Sequence, residues 1–96
     1  MNTQEISENF TVNVSRIGEL PDLLIYQVVF MSKEAPPPGR LPFGKSLKLK
    51  IHRYEVDNTL RIIEATPHGI STNPNEFQEA AFQAIIDFEE VNPLPA

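Results

Sequence analysis

The sequence predicts an α+β domain in which a four-stranded antiparallel sheet is covered on one face by a C-terminal helix. Four segments have the composition or the alternation of β-strands, turn residues separate them, and the last apolar segment has a helical period. A strongly curled sheet that approaches a half-barrel is an alternative within the same class. The pattern leaves the order of the strands open.

The predicted strands differ in how many of their faces are apolar. In the first, apolar and polar residues alternate, which indicates one buried and one solvated face. The second is apolar on both faces, which is typical of a central strand and leaves a second face that needs a cover. The fourth follows turn residues at Asp57 and Asn58. These strands cover residues 10–15, 23–31, 45–53 and 59–65.

The third strand has the clearest alternation, because one of its rows is apolar and the other is cationic. Its lysines are typical of an edge strand that is protected against pairing with another sheet. The cationic row is also suited to phosphates, or to an acidic patch on a partner such as the acidic helix of a second copy. The apolar row is Leu47, Leu49 and Ile51, and the cationic row is Lys48, Lys50 and His52. The candidate anion-binding residues are Arg40, Lys45, Lys48, Lys50 and Arg53.

A helix is predicted over residues 74–90, where Asn73 and Glu76 have the spacing of a capping box. One stripe of this helix is apolar and is expected to pack on the sheet. Phe82 and Ile86 fall on the other side, among acidic and amide residues. Three explanations of these two apolar residues are open: the helix is buried over a wide arc, the two side chains are simply exposed, or a partner covers them. The third explanation predicts a homodimer or a heteromeric subunit. The apolar stripe is Phe77, Ala80, Ala81, Ala84, Ile85 and Phe88.

Three segments are expected to lie outside the sheet and the helix. Residues 1–9 are polar and are expected to be frayed, and residues 91–96 form a tail that prolines keep from being helical. Residues 32–44 form a long proline-rich loop, which is either a stiff connector or a segment that docks on a partner. In the second case Arg40 and Phe43 are the expected contact residues.

Composition limits the class of protein. A chain of 96 residues fits one domain, spanning residues 1–96. No apolar run is long enough to cross a bilayer and no secretory signal is visible, so we expect a cytoplasmic protein without membrane contact. The net charge of −5 discourages non-specific nucleic-acid binding, although the middle of the chain is basic.

No pattern in the sequence points to catalysis. The chain has no cysteine, which excludes thiolate metal sites and a cysteine nucleophile. His52 and His68 lack the spacing of metal ligands, and no phosphate-binding loop or nucleophile elbow is present. We therefore expect neither an enzyme nor a cofactor.

The sequence is best explained by a small, non-enzymatic protein-interaction module, a regulator, inhibitor or accessory subunit that is oligomeric. Its partner is expected to be another protein or a second copy of itself. The alternative is a protein that binds nucleic acid or a phosphorylated ligand through residues 45–53. The candidate partner-binding residues are Arg40, Phe43, Phe82 and Ile86.

Overall fold

A four-stranded antiparallel sheet organises the computed structural model, which describes residues 3–33, 46–68 and 74–93. The strands lie in the order in which they follow one another along the chain, and the sheet is not closed into a barrel. The predicted fold class is thereby confirmed. The strands are β1 (Phe10–Leu20), β2 (Leu23–Ser32), β3 (Ser46–Tyr54) and β4 (Thr59–His68). The helices are α1 (Thr3–Asn9) and α2 (Gln78–Val91), and a 3₁₀ turn, Pro74–Phe77, leads into α2.

Both middle strands of the sheet are paired on each side. β2 lies between β1 and β3, as its two apolar faces predict. β3 lies between β2 and β4, so the interpretation of its lysines as protection for an exposed edge is wrong. The backbone N–H and C=O groups of β3 already have partners in the sheet, and the cationic row has to be explained by the surface it lies on.

Two β-bulges in the sheet change which face the residues beyond them point to. The pairing of β1 with β2 shifts between Arg16 and Gly18, and Ile17 is the extra residue. The pairing of β3 with β4 shifts so that Ile63 is extra. A bulge inserts one residue into a strand and reverses the alternation that follows. Simple alternation therefore does not predict the facing of the residues beyond either bulge.

The turn between β3 and β4 confirms the predicted turn chemistry. Asn58 has a φ of 59°, in the left-handed region that asparagine tolerates. The Asp57 carboxylate accepts hydrogen bonds from the Thr59 hydroxyl (2.7 Å) and from the Thr59 backbone N–H (3.1 Å). These two bonds stabilise the charged carboxylate and lower the pKa of Asp57.

The core lies between α2 and one face of the sheet, which we call the inner face. Phe77 joins the two layers, because its ring centroid lies 5.3 Å from that of Phe10 and 5.0 Å from that of Phe30. The stripe predicted for the helix supplies the buried residues of this layer. The inner face consists mainly of Leu24, Tyr26, Val28 and Phe30 on β2 and of Leu47, Leu49 and Ile51 on β3.

The N-terminal segment differs from its prediction. Residues expected to be frayed form α1, and the Ile6 side chain is buried in the core. The backbone N–H of Lys33 donates to the Asn9 carbonyl (2.9 Å), and the Lys33 ammonium donates to the Ser7 carbonyl (3.2 Å). One apolar side chain and two bonds from the end of β2 thus hold a segment that is otherwise polar.

Several predicted features lie outside the described residues. They are most of the proline-rich loop, including Arg40, Phe43 and Lys45, as well as the predicted cap Asn73 and the last three residues. Phe77 occupies the N-cap position of α2 without a side-chain hydrogen bond. Among the helices described, none has both the length and the apolar character that crossing a membrane requires.

Candidate protein-interaction surface

The outer face of the sheet is the face turned away from α2. It is formed by alternate residues of β2, from Leu23 to Met31, and of β3, from Ser46 to Tyr54, with their partners on β1 and β4. In the part of the chain that the structure describes, α1 and α2 both contribute their buried residues to the inner side. No described helix covers the outer face.

An apolar row runs along β2 at the centre of the outer face. All four of its apolar residues are half-buried or exposed, and Met31 retains 49% of its accessible surface. Gly18 lies opposite Ile25, where a Cβ atom would meet the Ile25 side chain at 3.0–3.3 Å. Glycine therefore makes room for Ile25 in this row. The row consists of Leu23, Ile25, Val29 and Met31, and Gln27 interrupts it.

The strands on either side of this row differ in charge. The outward residues of β1 ahead of its bulge are neutral and polar, at Thr11, Asn13 and Ser15, and beyond the bulge Leu20 is neutral and apolar. The outward residues of β3 include Lys48, which pairs with Val29, and Lys50, which pairs with Gln27. The outer face is thus neutral on one flank of its apolar row and cationic on the other.

The predicted cationic row is joined by an arginine that sequence reasoning missed. Arg61 of β4 lies opposite His52 and is exposed. The alternation of Leu60, Arg61 and Ile62 was a signal that could have located it. The Lys50 ammonium is 3.5 Å from the Glu64 carboxylate, and both side chains are largely solvated. In the described part of the chain, Lys48 and Arg61 have no ion-pair partner.

A shallow hollow lies on the cationic flank of the outer face. Its volume is about 250 Å³, and polar groups dominate its walls. His52 and Tyr54 stand farther along β3 with ring centroids 6.1 Å apart. The hollow is lined by Gln27, Lys48, Lys50, Glu64 and Thr66.

Arg53, a candidate anion-binding residue, lies on the other side of the sheet from Lys48 and Lys50. Its Nε is 2.9 Å from a Glu89 carboxylate oxygen of α2, and one Nη donates to the Asn58 side chain at 3.1 Å. Only 14% of the Arg53 side chain and 16% of the Glu89 side chain are exposed. The other Nη of Arg53 and the second carboxylate oxygen of Glu89 are buried without a hydrogen-bond partner. Glu89 therefore neutralises Arg53.

A groove of about 520 Å³ opens beside this ion pair, between the end of α2 and the β3–β4 turn. Its walls are mostly apolar and include Leu60, Ile86 and Pro93, with Asn58 and Glu90 at its polar edge. The groove shares Ile86 with the exposed side of α2. It therefore extends the apolar surface around that residue.

A second arginine, also missed by sequence reasoning, fixes the end of α2. Arg16 donates from Nε to the Tyr26 hydroxyl (3.1 Å) and from Nη2 to the Asn92 carbonyl (3.0 Å). Its guanidinium carbon lies 5.5 Å from the centroid of the Tyr26 ring and 5.6 Å from that of the Phe88 ring. Burial raises the pKa of Tyr26, although the bond from Arg16 acts in the opposite direction.

The two candidate residues on α2 have different surroundings. Phe82 is half-buried and packs against the core, which agrees with a wide buried arc. Ile86 is 46% exposed. The exposed apolar pair expected on the far side of the helix is therefore reduced to Ile86, surrounded by Glu79, Gln83, Asp87 and Glu90.

The described residues contain no group of three or more histidine and carboxylate side chains that could hold a metal ion. His52 lies on β3 and His68 at the end of β4, paired with Ser46. The structure does not bring these two residues into one site.

Comparison with known proteins adds no relative to this description. No family model, no curated protein and no solved structure matches the chain significantly.

Proposed function

We propose that this chain is a non-enzymatic protein-interaction module, acting as a regulator, inhibitor or accessory subunit, and that the outer face of the sheet is its binding surface. The observation that carries the proposal is the apolar row of β2, which no described element covers. An apolar strip with a polar rim is typical of a site for protein contact.

The size of the outer face supports the same function. Four strands of nine to eleven residues form it. At about 3.3 Å per residue and about 4.8 Å between strands, they present a face of roughly 600 Å² before side-chain relief is counted. A standard protein interface takes about 800 Å² from each partner. The outer face is therefore close to the area that a stable complex needs.

The proposal includes an oligomeric or heteromeric state and a cytoplasmic location. The first follows from the row of β2 that no described element covers, because burial of apolar side chains by a partner is favourable. The second is compatible with a chain that has no cysteine.

Binding of nucleic acid or of a phosphorylated ligand is a second candidate, favoured by the position of Arg61 on the same face as Lys48. It has less support, because Arg53 is paired with Glu89 on the inner side and Lys50 is paired with Glu64. A phosphate contact releases counterions, so such binding weakens steeply with added salt. Binding through the apolar row does not.

The test is capture of partners from the source cells by the tagged protein, followed by binding measurements with the purified captured component. Ile25→Thr with Val29→Thr keeps the β-branched shape of both residues and makes the row polar. We expect this variant to bind the captured protein roughly tenfold more weakly or worse. Val56→Thr with Val91→Thr is the matched control, since those valines are 88% and 80% exposed and lie off the sheet.

Capture of a protein that resists high salt and is lost with the Ile25 and Val29 variant supports the proposal. Unchanged binding of that protein by the variant rules out the outer face as the site. Nucleic acid that moderate salt releases, and that Lys48→Glu abolishes, establishes the second candidate instead.

A further inference from the structure

We infer that the outer face of one copy receives the exposed side of α2 from a second copy, so that the chains associate head to tail. The inference rests on the proposed function, because it names the partner of the same surface. It follows from the three ways in which these two surfaces can pair between copies.

Charge disfavours the two symmetric arrangements. The outer face carries Lys48 and Arg61 in addition to the Lys50–Glu64 pair, so two outer faces would bring cations together. The α2 segment contains acidic residues and no lysine or arginine, so two α2 surfaces would bring carboxylates together. The mixed arrangement alone sets opposite charges against each other.

The exposed side of α2 also has the shape of a ridge with an apolar centre. Glu79, Gln83, Ile86 and Glu90 follow one another at steps of four, three and four residues and therefore lie on one line of the helix. Ile86 stands within this line, and Phe82 is at its side. Acidic side chains thus lie before and after an apolar residue on the helix, and cations lie along one flank of the apolar row of β2.

The exposed side of α2 is short enough to lie along the apolar row of β2. A helix of fourteen residues is about 21 Å long, at about 1.5 Å per residue. A strand of ten residues is about 33 Å long, at about 3.3 Å per residue. The helix therefore fits along the apolar row, with its carboxylates within reach of Lys48 and Arg61.

The surface on α2 is held in place before any contact forms. The Arg53–Glu89 ion pair and the bond from Arg16 to the Asn92 carbonyl attach the last turns of the helix to the sheet. Little ordering is then needed when two copies meet, which favours association. Because every copy carries both surfaces, the contact is heterologous and produces either a closed ring or a chain that grows with concentration.

The experiment is sedimentation velocity at tens of micromolar on four forms of the full chain. They are the parent, Lys48→Glu with Arg61→Glu, Glu79→Lys with Glu90→Lys, and the quadruple variant that combines all four changes. All four changed residues are exposed, so the fold is expected to persist, and circular dichroism checks it. The quadruple variant makes the outer face acidic and the exposed side of α2 basic, and it keeps the parent net charge of −5.

We expect the parent to self-associate, each double variant to associate at least about tenfold more weakly, and the quadruple variant to associate again. A mixture of the two double variants is also expected to associate, because each supplies the surface that complements the other. Glu8→Lys with Glu55→Lys is the control for the Glu79 and Glu90 variant, since both residues are exposed, lie on α1 and after β3, and change the net charge by the same amount; it is expected to associate as the parent does.

A parent that stays monomeric overturns the inference, as does a Glu79 and Glu90 variant that assembles as well as the parent. If that monomeric parent still binds another protein through Ile25 and Val29, the proposed function stands and only its partner changes. If the Ile25 and Val29 variant also binds every captured protein normally, both proposals are wrong.

Discussion

The two faces of the sheet share one central strand and differ in what lies against them. On the inner side of β2, Tyr26, Val28 and Phe30 have no exposed surface. On the outer side, Ile25 and Val29 are half-buried and Met31 is half-exposed. Most of the residues on both sides are apolar. Composition therefore predicts which segments have two apolar faces, and tertiary packing decides which of those faces is buried against the helix.

The same contrast holds for ion pairs. Arg53 and Lys50 lie on β3 three residues apart and point to opposite faces, and each is paired with a glutamate. The side chains of the inner pair are mostly buried, and those of the outer pair are largely exposed. Water screens the outer pair, so equal formal charges stabilise the fold to different extents.

The largest expected effect is the loss of stability when the Arg53–Glu89 ion pair is broken. Arg53→Met leaves the Glu89 carboxylate without its partner in a mostly dry site, and we expect the free energy of unfolding to fall by about 3 kcal/mol. Lys50→Met on the outer face is expected to lower it by at most about 1 kcal/mol. Urea unfolding of both variants measures the difference.

Arg53→Met combined with Glu89→Leu shows whether charge is the cause. Since both charges are then gone, this double variant is expected to recover a large part of the lost stability. Equal losses for the Arg53 and Lys50 variants would contradict the distinction between the two faces.

A smaller effect is expected from two neighbouring valines. Val28→Ala removes methyl groups from the core and should cost about 2 kcal/mol, whereas Val29→Ala should cost less than about 1 kcal/mol. Both changes lose the same strand preference, so the difference reports burial alone. Urea unfolding measures both losses at a protein concentration too low for copies to associate. If Val29→Ala is as costly there as Val28→Ala, another part of the same chain covers the outer face.

The smallest effect is expected from the pH dependence of stability. Burial raises the pKa of Tyr26 above its ordinary value of 10.0, so the folded state retains this proton where the unfolded chain releases it. The stabilisation is complete below pH 10 and is lost as the pH rises from 10 through the folded-state pKa. We expect Tyr26→Phe to lose less stability than the parent between about pH 8 and pH 11.

Tyr54→Phe is the control for this measurement, because Tyr54 lies half-buried on the outer face. It removes a tyrosine hydroxyl from the other face of the sheet. A Tyr26→Phe variant that loses as much as the parent would show that the inner hydroxyl does not contribute to the effect.

The positions of the strands and the helix could be predicted because their signals are local. A period of two in residues 45–53 and a period of 3.6 in residues 77–88 arise within each segment. The bulges at Ile17 and Ile63 could not be predicted, since they depend on the register between two strands. Nor could α1, because the burial of Ile6 requires a core that other segments build.

The candidate surface was predicted in part. Lys48 and Lys50 were identified from the alternation of their own strand, and Ile86 from the helical period. The roles of Arg16 and Glu89 were missed, because their partners lie ten or more residues away in sequence. Arg53 was grouped with the lysines because all are basic, and the partner that neutralises it comes from α2.

The sequence by itself determined the fold class and the segments that form it, because backbone preference and hydrophobic period are properties of neighbouring residues. The tertiary structure alone decided that β3 lies inside the sheet, that Arg53 and Lys50 point to opposite sides, and that the described helices both lie away from the outer row of β2. Each of these depends on free energy gained between residues distant along the chain, and such contacts exist only once the sheet and α2 have packed together.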